Sequence, residues 1–183
     1  RTTWQCPRTA VIFREHQRVL VKVRVRIQSY LQPAEMEHRR DIVDKVSKEI
    51  YEWIEHVITP RDELGAMCIC PFAKQAKVNI SHTILSDITP KEGVDVAIFV
   101  VGDDITYNAL IDARNALNRK YKEYIFLEDH MDDPSYINGV QSNFGKANLM
   151  LCQKRDELLQ ARNTLGKTEY YKYWSKEMYR SIV

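Results

Sequence analysis

The order of periodic segments predicts an α+β fold: an antiparallel sheet with helices packed on one face, ferredoxin-like (βαββαβ) or a permuted variant, plus C-terminal helices. In some short segments apolar residues alternate with polar ones or run together, as they do in strands. Longer segments between them place apolar residues at the helical spacing. The first six segments follow the order βαββαβ. The predicted strands are 19–27, 78–85, 94–101, 124–127 and 148–152.

The first predicted helix follows residue 38, where the period changes to 3.6. Pro60 ends it, because proline cannot continue a helix. Its apolar stripe consists of Ile42, Val43, Val46, Ile50, Trp53, Ile54 and Val57.

The later helices have boundary residues that are typical of caps, since short polar side chains accept from free amides and glycine ends helices. The predicted boundary residues are Asp104 before helix 105–122, Gly166 after helix 154–165, and Thr168 before a final helix.

Composition is that of a globular chain, with 183 residues, 44% hydrophobic and 28% charged. No apolar run approaches the ~20 residues that span a bilayer, and arginines interrupt the apolar stretches near the N-terminus. Four cysteines do not make a disulfide scaffold. We therefore expect a cytoplasmic protein with free thiols and no membrane contact.

Charge divides the chain into two predicted parts. Residues 1–35 hold seven Lys and Arg against two Glu, a balance of +5, whereas the remainder holds 20 basic and 23 acidic residues, a balance of −3. We expect residues 1–35 to be a basic arm or strand outside the native core, and 36–183 to be a single α+β domain. Met36 is a candidate initiator. If strand 19–27 is not part of the sheet, strand 148–152 can take its place.

The arm also offers a basic surface. Alternation in strand 19–27 places three cations on one face, and this pattern predicts weak binding of RNA. The rest of the predicted sheet lacks the aromatic signature of RNA-binding sheets. The three cations are Lys22, Arg24 and Arg26.

The segment MCICPFAK (67–74) is the first candidate site. Pro71 favours the first position of a helix and pushes Cys70 into the extended conformation of an N-cap. The helix end and Lys74 then favour the Cys70 thiolate, which is both nucleophile and metal ligand. The alternative is that Cys68 and Cys70 are small residues packed beneath the first helix.

The neighbouring thiol leaves further options open. Cysteines two apart in an extended segment project to opposite faces, and a disulfide between them is strained. Structural zinc sites mostly use Cys-x2-4-Cys, and Cys6 and Cys152 stand alone, so a structural zinc site is disfavoured. A divalent metal shared by Cys68 and Cys70 with other ligands stays open.

The acidic segment 128–134 is the second candidate site. It places carboxylates and an imidazole directly after a strand, where ligands can converge on the rim of a sheet. His130 could act as base or metal ligand, and Asp132 and Asp133 suit a hard cation. The alternative is a solvated turn, since Asp133-Pro134 is a turn signal.

Other motifs are absent from the sequence. There is no Gly-x-Gly-x-x-Gly, Walker or Gly-x-Ser-x-Gly pattern. The aromatic residues of the final helix predict core packing or a face for a partner, including a homodimer. They are Tyr170, Tyr173 and Trp174, with Met178 beside them.

A family resemblance rests on short motifs between residues 39 and 160. Four features carry it, in chain order: a helix that ends near Trp53, CPFA (70–73), the segment 132–134 with Tyr136 and Asn138, and a closing stretch 148–155. Together they resemble a bacterial family of small proteins of unknown function marked by a Cys-Pro-Phe-Ala motif. The resemblance implies that Cys70 and the 132–134 loop form one site, and that residues 1–35 lie outside the shared region.

The chain departs from that family in two places. Cys68-Ile69 precedes the motif where a leucine-rich lead is typical, and Phe144-Gly145-Lys146 replaces a proline-rich approach to the last strand. The first departure leaves the role of Cys68 open.

Two functions follow from these residues. The first is a thiol-based site on a small molecule, by thiol redox or metal-assisted chemistry, with catalytic residues Cys70, Lys74 and His130 and metal ligands Cys68, Cys70, His130, Asp132 and Asp133. The second is a non-catalytic module that binds protein or RNA through the open sheet face or the aromatic C-terminal helix.

Overall fold

The computed structural model describes residues 33–182. Predicted strand 19–27 and most of the basic arm, including its three cations, lie outside this range. The chain divides after Asp44 into two units, and everything described below from Lys45 onward belongs to the second. The helices are α1 (Pro33–Ile58), α2 (Tyr107–Lys120), α3 (Arg155–Leu165) and α4 (Lys176–Ile182). The strands are β1 (Val78–His82), β2 (Val96–Val100), β3 (Tyr124–Asp129), β4 (Tyr136–Ile137), β5 (Val140–Gln141) and β6 (Leu149–Lys154).

The main sheet has four strands in the order β1-β2-β6-β3. β6, the strand proposed as a substitute for 19–27, lies between β2 and β3 and is antiparallel to both. β1 and β2 are parallel, with Ile80 opposite Ile98. A mixed α/β chain with a mostly antiparallel sheet is therefore confirmed. A ferredoxin-like hairpin between the two consecutive strands does not form.

The link between β1 and β2 explains their parallel pairing. Its Ile88 is 2% exposed and packs in the cluster that contains Phe99 of β2 and Leu110 of α2. Burial of Ile88 therefore holds the link over one face of the sheet, so that the chain enters β2 in the same direction as β1.

Helices pack on both faces of the sheet, so the prediction of helices on one face is wrong. Alternate side chains of β2 divide between two cores, as the two-residue period of a strand requires. Ala97 and Phe99 pack with α2, whereas Ile98 and Val100 pack with Ile50 of α1. In the described part of the chain, both faces of the sheet therefore carry packed helices.

The C-terminal aromatic residues pack inside the chain. Tyr173, Trp174 and Met178 lie against a third cluster that contains Val57 and Ile69. Tyr170 is 7% exposed. Tyr170 is thus a core residue, and the other three are half-buried against this cluster. Their role in a homodimer stays a prediction.

Several boundaries differ from the sequence pattern. Thr106, not Asp104, caps α2, and its hydroxyl accepts from the amide of Ala109 at 3.3 Å. Thr168 caps a short 3₁₀ helix, Glu169–Tyr173, and α4 follows separately. α1 begins at Pro33, as proline permits in a first turn.

A small hairpin, β4–β5, was not predicted. Its turn is Asn138-Gly139, with φ of 45° and 84°. Asn-Gly with two positive φ values is the sequence signal of such a turn. Among the helices in the described residues, none is long and apolar enough to cross a membrane.

Candidate functional site: a groove beside Cys70

A groove of about 430 Å³ lies on the α1 face of the sheet. Its floor is built by paired residues of β2 and β6: Val96 faces Gln153, and Ile98 faces Leu151. Because alternate residues of a strand point to one side, these four side chains share a face. The floor is therefore mainly apolar and rigidly held by the ladder.

Three segments form the walls of the groove. α1 contributes Trp53, Ile54 and Val57, one edge of its apolar stripe. The segment that follows Cys70 contributes Phe72 and Ala73. From the opposite side α3 contributes Glu157, Leu158 and Ala161.

Two hydrogen bonds hold the peptide group that joins Ile69 to Cys70 at the wall of the groove. Its own amide donates to the carbonyl of Val57 at 2.8 Å, which ties the motif to the end of α1. The hydroxyl of Tyr170 donates to the carbonyl of Ile69, which is 7% exposed. Cys70 is extended, with φ −137° and ψ 91°, and Pro71 starts a 3₁₀ helix, as predicted.

The pKa of Cys70 moves opposite to the prediction from the motif. Burial raises the pKa of its thiol above 9.0, and the amides of Ala73 and Phe72 lower it only in part. The helix covers only the four residues Pro71–Lys74. A helix this short has a weak dipole, so desolvation outweighs it. Lys74 is exposed and is not among the groups that shift this pKa.

Cys68 and Cys70 are both free and half-buried. Cys70 lines the groove, whereas Cys68 is not among its lining residues. The third described thiol, Cys152, lies in the α2 core, where burial raises its pKa to about 12. The described cysteines therefore offer a single thiol to the groove.

His130 is buried and is held by the backbone. Its Nε2 lies 2.9 Å from the carbonyl of Ile105, and its Nδ1 lies 3.1 Å from the amide of Asp132. The amide of Asp132 donates to Nδ1, and Nε2 faces a carbonyl oxygen that can only accept, so Nε2 is the donor of this pair. Both nitrogens are thus engaged, and the His130 and Tyr107 rings lie edge to face, with centroids 5.7 Å apart.

The charged side chains of the acidic segment 128–134 point to different surroundings and do not meet at one site. Glu128 pairs with Arg114 at 2.5 Å, and Asp129 points inward. Asp132 and Asp133 are exposed. No group of three or more His, Cys, Asp or Glu is placed to hold a metal ion among the described residues. The metal site predicted for Cys68, Cys70, His130, Asp132 and Asp133 consequently has no assembled ligand set there.

The two sequence-predicted sites also have separate surroundings. Cys70 contacts the groove and the third cluster, whereas the contacts of His130 are Ile105, Tyr107 and Asp132. In the described region these two sets have no residue in common. A joint site of Cys70 with the 132–134 loop, which the family resemblance implied, is not assembled by these contacts.

Asp129 is a buried anchor that the sequence pattern did not distinguish from its neighbours. Its carboxylate accepts from the amides of Phe144 at 2.6 Å and Gly145 at 3.2 Å, and from the Asn143 side chain at 3.1 Å. Burial nevertheless raises its pKa. Asp129 thereby shapes the loop that carries Phe144 against Trp53.

The groove carries only acidic charge. Asp95 and Glu157 are its only charged lining residues in the described chain. Asp95 already accepts from the amide of Lys77 at 2.6 Å, and Glu157 pairs with Lys154 at 3.2 Å. Asp95 thus has a hydrogen-bond donor, and Glu157 has an ion-pair partner. Anionic ligands find no cation among the lining residues.

Sequence reasoning missed most of the groove. It identified Cys70 and the apolar stripe of α1, but not Leu158 and Ala161 of α3. A helical pattern in the sequence does not show which part of the sheet the helix will pack on. The alternation in β2 and β6 was the available signal for the floor.

Comparison with known proteins adds no relative. No protein-family model matches the chain, and no curated protein or solved structure is significantly similar to it. The resemblance to the Cys-Pro-Phe-Ala family therefore stays a prediction.

Proposed function

We propose that this protein binds a small, uncharged, largely apolar molecule in the groove, with the Cys70 thiol in contact with it. The observation that carries the proposal is the position of Cys70 on the wall of a groove of about 430 Å³ with an apolar floor. Ligand sites in proteins are mostly apolar concavities of about 300–1,000 Å³. The absence of lining cations argues against phosphates and carboxylates as ligands.

The role of Cys70 in this proposal is contact rather than nucleophilic attack. Burial keeps its sulfur as a thiol at neutral pH, because it raises the pKa. No histidine or lysine lines the groove in the described chain, so the only nearby bases are Asp95 and Glu157. A neutral thiol packs as a small apolar group with a weak donor. Thiol redox or metal-assisted chemistry has less support in this geometry.

A neutral dye tests the proposal. N-phenyl-1-naphthylamine becomes fluorescent in apolar surroundings, and we expect saturable binding by the full chain. Ala161→Trp fills the groove from α3, whereas Ala116→Trp adds the same ring to an exposed position on α2, on the other side of the sheet. Ala161→Trp should weaken binding at least about tenfold, or ~1.4 kcal/mol. Ala116→Trp should leave it within about twofold.

A second readout locates the dye. Bound dye should slow alkylation of Cys70, followed by mass spectrometry, and leave the rate at Cys152 unchanged. Dye binding that survives Ala161→Trp and leaves Cys70 unprotected would contradict the proposed site. Equal melting temperatures of the two tryptophan variants exclude general unfolding as the cause.

A further inference from the structure

A second surface, away from the groove, combines aromatic rings with unpaired cations. Two neighbouring depressions, of about 430 and 290 Å³, lie where α3 meets the C-terminal segment. Tyr171 and Tyr179 line both of them, and Trp174 lines the second. Tyr179 is 41% exposed. We call these rings and the cations around them the C-terminal basic face.

The rings form one connected cluster. The centroids of Tyr171 and Tyr179 lie 5.1 Å apart with an interplanar angle of 72°, and those of Tyr171 and Trp174 lie 5.3 Å apart at 71°. Edge-to-face contacts of this kind hold aromatic rings in fixed orientations. The cluster is therefore a built surface rather than a set of independent side chains.

Every charged residue that lines the two depressions is basic. In the described chain none of these residues forms a salt bridge, whereas nearby Lys154 and Lys172 pair with Glu157 and Glu169. Glu177, on α4, is exposed and lines neither depression. The unpaired cations are Arg162, Lys167, Lys176 and Arg180.

Arg162 is the most informative of the four. It is half-buried, and desolvation lowers its pKa. A guanidinium that has lost water without gaining a carboxylate benefits from an incoming anion. Tyr171 lies beside it, so one ligand can contact the charge and the ring together.

We propose that the C-terminal basic face binds single-stranded nucleic acid, with phosphates on Arg162 and Arg180 and a base stacked on Tyr179. Backbone charge and base stacking on aromatic side chains are the two features by which proteins hold single strands without reading sequence. Inorganic phosphate would bind the cations but would make no stacking contact with the rings. A peptide of Asp and Glu likewise has no aromatic ring to stack on Tyr179.

The test uses the full chain and a fluorescein-labelled ten-nucleotide oligouridine, with oligothymidine of equal length as the DNA arm. Fluorescence anisotropy gives the dissociation constant at 50 and 200 mM salt. With about four phosphate contacts, the slope of log affinity against log salt should be near −2.8, a loss of about fiftyfold over that range. Equal binding of both oligomers means that the 2′-hydroxyl is not read. Tighter binding of oligouridine assigns RNA as the ligand.

Three variants separate charge from stacking. Arg162→Gln with Arg180→Gln should weaken binding and flatten the slope by about 1.4. Tyr179→Leu should weaken binding about tenfold with the slope unchanged, because stacking is worth one to two powers of ten per base. Arg119→Gln with Lys122→Gln, two exposed cations on and after α2, is the matched control and should change neither.

Three results would overturn the proposal. The first is no binding of either oligomer by the wild-type chain at 50 mM salt. The second is binding by the Arg162 and Arg180 variant that equals that of wild type, which places the nucleic acid elsewhere on the chain. The third is competition by polyglutamate as effective as that by unlabelled oligomer, together with no effect of Tyr179→Leu, which makes the face a general site for polyanions.

Discussion

The hydroxyl of Tyr170 donates a hydrogen bond to the main-chain carbonyl of Ile69, 101 positions earlier in the chain. Ile69 lies between Cys68 and Cys70, so this bond fixes the backbone of the cysteine motif from the C-terminal segment. Both residues are 7% exposed, and water does not readily replace the bond. The wall of the groove thus depends on a residue outside the motif.

Tyr170→Phe should destabilise the protein by about 1–3 kcal/mol, because it leaves the buried carbonyl of Ile69 without a donor. Urea denaturation measures the effect as a lower midpoint at unchanged slope. Tyr136→Phe removes a hydroxyl from a side chain that is 55% exposed and should change stability by less than about 0.5 kcal/mol. An equal midpoint for Tyr170→Phe and wild type would show that the bond contributes nothing.

Two glycines with positive φ should differ in their response to alanine. Gly139 has φ +84° and no heavy atom within 4 Å of an added Cβ, so Gly139→Ala costs only the left-handed conformation, about 1–2 kcal/mol. Gly65 has φ +65°, and an added Cβ lies 2.7 Å from the Tyr173 hydroxyl oxygen. Gly65→Ala should therefore be the more destabilising variant.

A double-mutant cycle separates the clash from the conformational cost at Gly65. Tyr173→Phe removes the oxygen that the added methyl meets, so Gly65→Ala should cost less in that background than in wild type. Thermal or urea melts of the four proteins provide the comparison. Identical costs in the two backgrounds would mean that Tyr173 moves freely and that only φ matters.

Elements with strong local signals were predictable from the sequence. The continuous apolar run at 94–101 contains β2, and Gly166 follows α3, as predicted. The parallel pairing of β1 and β2 was not predictable, because it depends on burial of Ile88 against α2. A hairpin and a short crossover share the same turn residues, and only tertiary packing distinguishes them.

The candidate site divides in the same way. The extended Cys70 and the helix that starts at Pro71 follow from local proline chemistry. The raised pKa of Cys70 does not, because its burial depends on packing that the motif does not encode. His130 looked like a ligand among carboxylates, but Ile105, a residue distant in sequence, accepts its Nε2 proton.

Asp129→Asn should destabilise the protein at neutral pH by about 1–3 kcal/mol. An amide has one acceptor oxygen, and its NH₂ group would face the amide donors of Phe144 or Gly145 that the carboxylate now satisfies. Chemical denaturation at pH 7 measures this loss. No loss would mean that the loop at 143–145 rearranges without penalty.

The pH dependence of that loss has a definite sign. Burial raises the pKa of Asp129 above its ordinary value of 3.8, so the folded state binds the proton more readily than the unfolded state. Stability from this group is fully present below pH 3.8 and is lost as pH rises through the folded pKa. The cost of Asp129→Asn should accordingly increase as pH falls from neutral toward 3.8, and then become constant. A cost that shrinks on acidification would show a lowered pKa instead.

The alkylation profile of Cys70 tests the electrostatics of the motif directly. Since burial raises its pKa above 9.0, the rate with iodoacetamide at pH 8 should be lower than that of an unfolded peptide containing the same motif. Cys152, with a pKa of about 12, should need a still higher pH than Cys70 to react at its half-maximal rate.

Two substitutions near the motif should differ in their effect on this profile. Lys74→Gln should leave the Cys70 profile unchanged, because Lys74 does not contribute to the shift of the Cys70 pKa. Cys68→Ser should move the profile to lower pH, since the charge of Cys68 raises the pKa of Cys70. Site-by-site mass spectrometry resolves the thiols, and a half-maximal rate for Cys70 below pH 9.0 would restore the thiolate that the short helix was predicted to stabilise.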